Sequence, residues 1–131
     1  MSEPGNCCAV IDEMIDHIDY ILDKVKARSQ RAVRENRDIR QSIERSLDII
    51  SVSSRRLPTE LRDTRREIPW RQIADIGNVL RHTHFAVNPD LVWRVATDNL
   101  VPLRQALLAM RELALAIPRL DVRSSRTSYA S

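Results

Sequence analysis

Only two of the 131 residues are glycine, Gly5 and Gly77. Tight hairpin turns and positive-φ positions take glycine by default, so a fold built of many such turns is disfavoured. A Gly-rich phosphate loop is disfavoured for the same reason. What the chain offers instead is apolar residues at helical spacing. A first helix is predicted over about 8–27, with Ile11, Met14, Ile18, Ile21, Leu22 and Val25 on one stripe and Glu13, Asp16, Asp23 and Lys24 opposite. Residues 28–36 are polar and read as a loop or a frayed helix end, with Val33 their one sizeable apolar group. A second helix over about 38–57 carries Ile39, Ile43, Leu47, Ile50 and Leu57. Ser46, Ser53 and Ser54 flank that stripe, either to admit another helix closely or because they sit at the core edge. Pro58 stops this helix, and Thr59 can cap a short turn over 60–66.

A third helix is predicted from Trp70 to about His84, with Ile73, Ile76 and Leu80 inward and Asp75, Asn78 and His82 opposite. Asn88, Pro89 and Asp90 read as N-cap, N1 and N2 of the next helix, which includes Leu91, Val92 and Val95. Pro102 predicts a kink or a restart near Asn99, before a run of Leu103, Ala106, Leu107, Met110, Leu113 and Ile117. No run alternates long enough for a strand. The expected architecture is all-α, an up-and-down four-helix bundle with a split or kinked last helix. One domain over 1–118 is expected, followed by a disordered polar tail over 119–131. A chain of this length can bury a core without staples but leaves little room for a large closed pocket.

Charge is uneven along the chain. The formal net charge is +3. Residues 55–85 carry seven basic and four acidic groups, whereas residues 1–54 carry eight and ten. Arg55, Arg56, Arg62, Arg65, Arg66 and Arg71 form the basic cluster, suited to the rim of an RNA cleft or to an acidic partner protein. The acidic series from Asp12 to Asp23 reads as a solvated helix face. Cys7 and Cys8 are adjacent and have no other partner, so no intrachain disulfide framework is expected. With no signal-peptide pattern and no long apolar span, a cytoplasmic location is expected. The histidines are His17, His82 and His84. On one helix His82 and His84 point about 200° apart, and no cysteine or carboxylate cluster joins them, so no metal site and no cofactor are expected.

The segment IPWRQIADIGNVLRHTHFAVNPDLVW closely resembles the HepT-like family of the HEPN superfamily. Pro69-Trp70, Asn78, His82, Asn88 and Val92-Trp93 stand in register with it. IRQSIERSLDIISVSSRRLP resembles the family's second helix, and Leu100 to Leu108 its last, so the likeness spans about residues 10–115. The resemblance implies an all-helical homodimer. It implies a metal-independent ribonuclease toxin paired with a nucleotidyltransferase-type antitoxin. The family's motif is Arg, four residues, His, one residue, Tyr. The arginine place is here Gly77, the histidine place His82 and the tyrosine place His84, with Asn78 directly after the arginine place. By that resemblance His82 is the acid–base group on a ribose hydroxyl, with Asn78 in support. Arg81 either supplies a guanidinium by another route or faces solvent. His84 leaves no phenol for an antitoxin to modify with AMP; it is itself a candidate for acid–base chemistry. Gly77 costs the helix about 1 kcal/mol relative to alanine, explained by close approach of another helix or by loss of the arginine alone. Trp70 and Trp93 read as core or interface anchors. Two functional expectations follow: an active RNA endonuclease, or a catalytically degenerate module that binds RNA or a partner protein.

Overall fold

The computed structural model describes residues 7–82 and 89–117; the side chains of residues 81, 82, 89 and 91 lie outside that description. Seven α-helices follow in order: α1 (Cys7–Lys26), α2 (Gln30–Glu35), α3 (Arg37–Ser54), α4 (Thr59–Arg62), α5 (Trp70–His82), α6 (Pro89–Arg94) and α7 (Leu100–Ala116). A 3-10 turn, Asp63–Arg65, follows α4, and a π turn, Val95–Asn99, joins α6 to α7. Among the described residues there is no strand. The expected Asn88 cap, His84 and the tail over 119–131 lie outside the described residues.

Helix α1 packs against both α3 and α7, and α3 carries α5 on its far side. The first predicted stripe is the centre of the core: Ile11, Met14, Ile18 and Ile21 are fully buried. Ile43, Leu47 and Ile50 of α3 and Leu103, Leu107 and Met110 of α7 meet them. Burying each such side chain contributes about 1.5–3 kcal/mol. The result is an up-and-down bundle of four long elements, the last of them α6, the π turn and α7 taken together.

The interrupted last helix has a local cause. Pro102 lacks the N–H that would bond Asp98 in a regular helix. Just upstream the ladder widens, and the Leu100 N–H reaches the Val95 carbonyl, five residues back.

Three expectations need correction. Residues 30–35 are helical, because the Ser29 hydroxyl accepts from the Ala32 N–H at 3.1 Å and Val33 is buried. Asn36 then ends α2 and caps α3, its side chain accepting from the Ile39 N–H at 3.1 Å. Pro58, not Thr59, occupies the cap position of α4, and no side chain caps it. The acidic face of α1 is not wholly solvated: Asp12 and Asp19 pair with Arg111 and Arg104 of α7 at 2.8 and 2.7 Å. These pairs are exposed, so salt screens them.

The serines of α3 settle their own alternatives. Ser46, Ser51, Ser53 and Ser54 are all buried. Ser53 donates to Glu13 at 2.9 Å, and the Ser46 hydroxyl is in hydrogen-bond contact with His17 Nδ1 at 3.2 Å. Small hydroxyl side chains thus bring α1 close to α3 while satisfying the buried polar atoms.

Candidate active site and RNA face

Helix α5 carries Gly77, Asn78, Arg81 and His82 of the residues singled out in the sequence. Its start is fixed by Trp70, whose indole N–H donates to the carbonyls of Arg65 at 3.0 Å and Arg62 at 3.2 Å. One side of the helix then lies on α3. There the Ser51 hydroxyl accepts from the Gly77 N–H at 3.1 Å and donates to the Ala74 carbonyl at 2.7 Å. Arg55 also donates to the Ala74 carbonyl, at 2.8 Å. This bridge requires the two backbones to be close. A Cβ at Gly77 would lie 2.7 Å from Asp48 Oδ1, 2.8 Å from Ser51 Oγ and 3.1 Å from Ser51 Cβ. Gly77 therefore serves close approach of α3, and the space an arginine side chain would leave through is occupied.

The other predicted site residues separate by register. Asn78 is exposed, and position 82 falls one turn beyond it on the same side of α5. Position 81 falls one turn beyond Gly77, on the side that meets α3. So Asn78 and His82 share a side, and Gly77 and Arg81 share the other. The side chains of Arg81 and His82, and all of His84, lie outside the described residues.

The arginine cluster gathers at the opposite end of α5. From residue 70 to residue 82 the axis spans about 18 Å at 1.5 Å per residue. Within the cluster the roles divide. Arg55 is tied to α5, Arg62 reaches Thr59 at 3.2 Å, and Arg65 pairs with Glu67 at 3.4 Å. Arg56, Arg66 and Arg71 are exposed and form the outward basic surface. Arg62 and Arg65 find partners two or three residues away, whereas Arg55 is held from α5, 19 residues on.

Glu44 lies on α3 one turn before Asp48, and burial pushes its carboxyl above the ordinary range, against the opposing pull of Arg40. A carboxyl with a raised folded pKa is most favourable when protonated. Its contribution is present below the unfolded pKa and lost as pH rises through the folded one. Glu44→Gln is therefore expected to raise the melting temperature at pH 7 and leave it unchanged at pH 3, as thermal unfolding followed by circular dichroism would measure.

Sequence reasoning missed Ser51 and Asp48, which shape the motif helix from another element. It also missed an open groove between α5 and the π turn. About 360 Å³ in volume, it is lined by Gln72, Ile76, Val79, Arg94, Val95 and Asn99, among others. Among the described residues no group of three or more His, Cys, Asp or Glu could hold a metal ion. No helix among them is long and apolar enough to cross a membrane.

Comparison with known proteins decides the family. The profile described as Ribonuclease HepT-like matches residues 14–110. The chain belongs to the HepT-like family. Within the HEPN superfamily it is similar to "Putative RNase TTE0752" of Caldanaerobacter subterraneus subsp. tengcongensis. The two are 24% identical over 95 residues, covering 72% of this chain and 85% of that protein. It is also similar to "Probable ribonuclease HepT" of Thermococcus cleftensis, at 28% identity over 68 residues, 52% of this chain and 62% of that one. No solved structure matches at a significant level. In this HepT-like chain, His82, the position that the resemblance marks as the histidine place, is the last residue of α5.

Proposed function

We propose that this chain is a metal-independent RNA endonuclease of the toxin type, cytoplasmic and homodimeric, with a nucleotidyltransferase-type antitoxin as its partner. The observation that carries the reading is the motif histidine, His82, retained in the last turn of α5 with exposed Asn78 one turn before it. An imidazole titrates near neutrality, so His82 can take a proton from a ribose 2′-hydroxyl, whose oxygen bonds to the adjoining phosphorus as the bond to the next nucleotide's 5′-oxygen breaks; that oxygen leaves with a proton from a second group or from water. Arg56, Arg66 and Arg71 bind the RNA backbone at the far end of the same helix, where guanidinium groups suit phosphate oxygens. Arg81 and His84 are the candidates for supplying charge and a second proton-transfer group in place of the family's arginine and tyrosine.

The test is cleavage of a labelled structured RNA with chelator present throughout. Wild type is expected to cleave, and His82→Ala to lose about 100-fold or more in rate, the usual contribution of a positioned acid–base group. Closure of the arginine place at Gly77 favours one other reading, a degenerate module that binds RNA or a partner protein. Absence of cleavage by wild type across several RNAs, with the dimer verified by light scattering, would select that reading and end the enzymatic one.

A further inference from the structure

The two sides of α5 differ in what covers them. Ala74 and Gly77 lie on α3, whereas Val79, on the opposite side, is 37% exposed. The groove on this side has an apolar floor of Ile76, Val79 and Val95. Its rim is polar and chemically mixed: Gln72 and Asp75 from α5, Arg94 and Asn99 from across the groove. The π turn contributes Val95 to the floor and Asn99 to the rim, one of the settings in which such turns recur at binding sites.

The rim narrows the class of ligand. Asp75 only accepts hydrogen bonds, Arg94 only donates them, and the two amides do both. None of the four side chains is committed to another described residue, and Asn99 does not cap α7. A bare phosphate or carboxylate would suit Arg94 but be repelled by Asp75. A purely apolar ligand would leave the rim unused. A nucleotide matches all three surfaces, with a flat apolar face on the floor, an amino edge toward Asp75 and a phosphate toward Arg94. The groove volume of about 360 Å³ lies within the range of small-ligand sites. Position 82 is three residues beyond Val79, about 4.5 Å along the axis, so a base seated here brings its backbone toward the histidine place.

We propose that this groove is a nucleobase subsite for single-stranded RNA that favours bases bearing an exocyclic amino group over uracil. The inference rests on the ribonuclease reading for its substrate, but its test does not depend on cleavage. Fluorescein-labelled 2′-O-methyl hexamers of A, C and U have no free 2′-hydroxyl to react, so their binding to the wild-type full chain is read by fluorescence anisotropy. The A and C hexamers are expected to bind about tenfold more tightly than the U hexamer, the scale of one well-made carboxylate–amine contact. Asp75→Asn, which exchanges an acceptor oxygen for a donor, is expected to bring the three within about threefold. Arg94→Ala is expected to weaken all three alike and to reduce the salt dependence by about one phosphate contact.

Equal affinity for the three hexamers, or a preference that survives in Asp75→Asn, overturns the subsite. Val79→Arg supplies an independent check, since it fills the groove from an exposed position. It is expected to abolish the preference while helicity and dimer mass persist. If instead Val79→Arg turns a dimer into monomers, the groove is the contact between two copies and the proposal fails. Cleavage without base preference would sink the subsite and keep the ribonuclease reading. Base-selective binding without cleavage would do the reverse.

Discussion

Gly77→Arg, the substitution that returns an arginine to the family's arginine place, is expected to destabilise the protein by about 3 kcal/mol and not to raise its ribonuclease activity above that of wild type. The cost arises at the Cβ, before any guanidinium can be placed. That atom would sit 2.7 Å from Asp48 Oδ1 and 2.8 Å from Ser51 Oγ, inside the distance at which real Cβ atoms are found. Overpacking of this kind costs roughly 1–3 kcal/mol, and arginine adds a long side chain that has to leave between α3 and α5. Gly77→Ala separates the two effects. Alanine removes glycine's helix penalty of about 1 kcal/mol, so overpacking is partly offset and a net loss of about 1 kcal/mol is expected. In a Ser51→Ala background the hydroxyl contact is gone while the Asp48 one remains, so the loss on Gly77→Ala is expected to shrink without vanishing. For a domain of this size Gly77→Arg should lower the melting temperature by roughly 10 °C. Scanning calorimetry of the two single alanine variants and their double would measure the coupling. A Gly77→Ala protein more stable than wild type would show that α3 is not tightly packed against position 77.

This close approach is where the sequence stops being legible. The apolar stripes are local patterns, and the structure buries them as expected: Ile11, Met14, Ile18 and Ile21 in α1, Leu103, Leu107 and Met110 in α7. The interruption before α7 follows from Pro102 for an equally local reason. Helix α2 is harder to see. Its six residues include one buried side chain, Val33, which is too little for a periodic signal, and its evidence is the capping residues Ser29 and Asn36 on either side. Gly77 is harder still. A glycine in a helix can mark a close contact or a mere replacement, and the answer lies in Ser51, 26 residues away in the chain. The groove beside α5 joins residues 69–79 to residues 94–99, two segments whose approach is set by the bundle as a whole.

Trp70→Ala is expected to cost about 3–5 kcal/mol, the usual loss for truncating a packed tryptophan, and to carry the arginine corner with it. Trp70 is half-buried against the core, and its indole N–H bridges the carbonyls of Arg62 and Arg65. Those two carbonyls belong to the segment that joins α3 to α5 and presents the basic cluster. Trp70→Phe keeps most of the ring and loses the donor, so about 1 kcal/mol of loss is expected from it. Urea unfolding of the two variants divides the packing contribution from the hydrogen-bonding one. The ratio also bears on function. If the indole orders the corner, Trp70→Phe should weaken RNA binding at low salt more than its small stability loss would, because the native population hardly changes. A Trp70→Phe protein with wild-type RNA affinity would mean that the arginines are held by the chain turn itself. Arg55, anchored on the Ala74 carbonyl, would then be the better candidate for setting their positions.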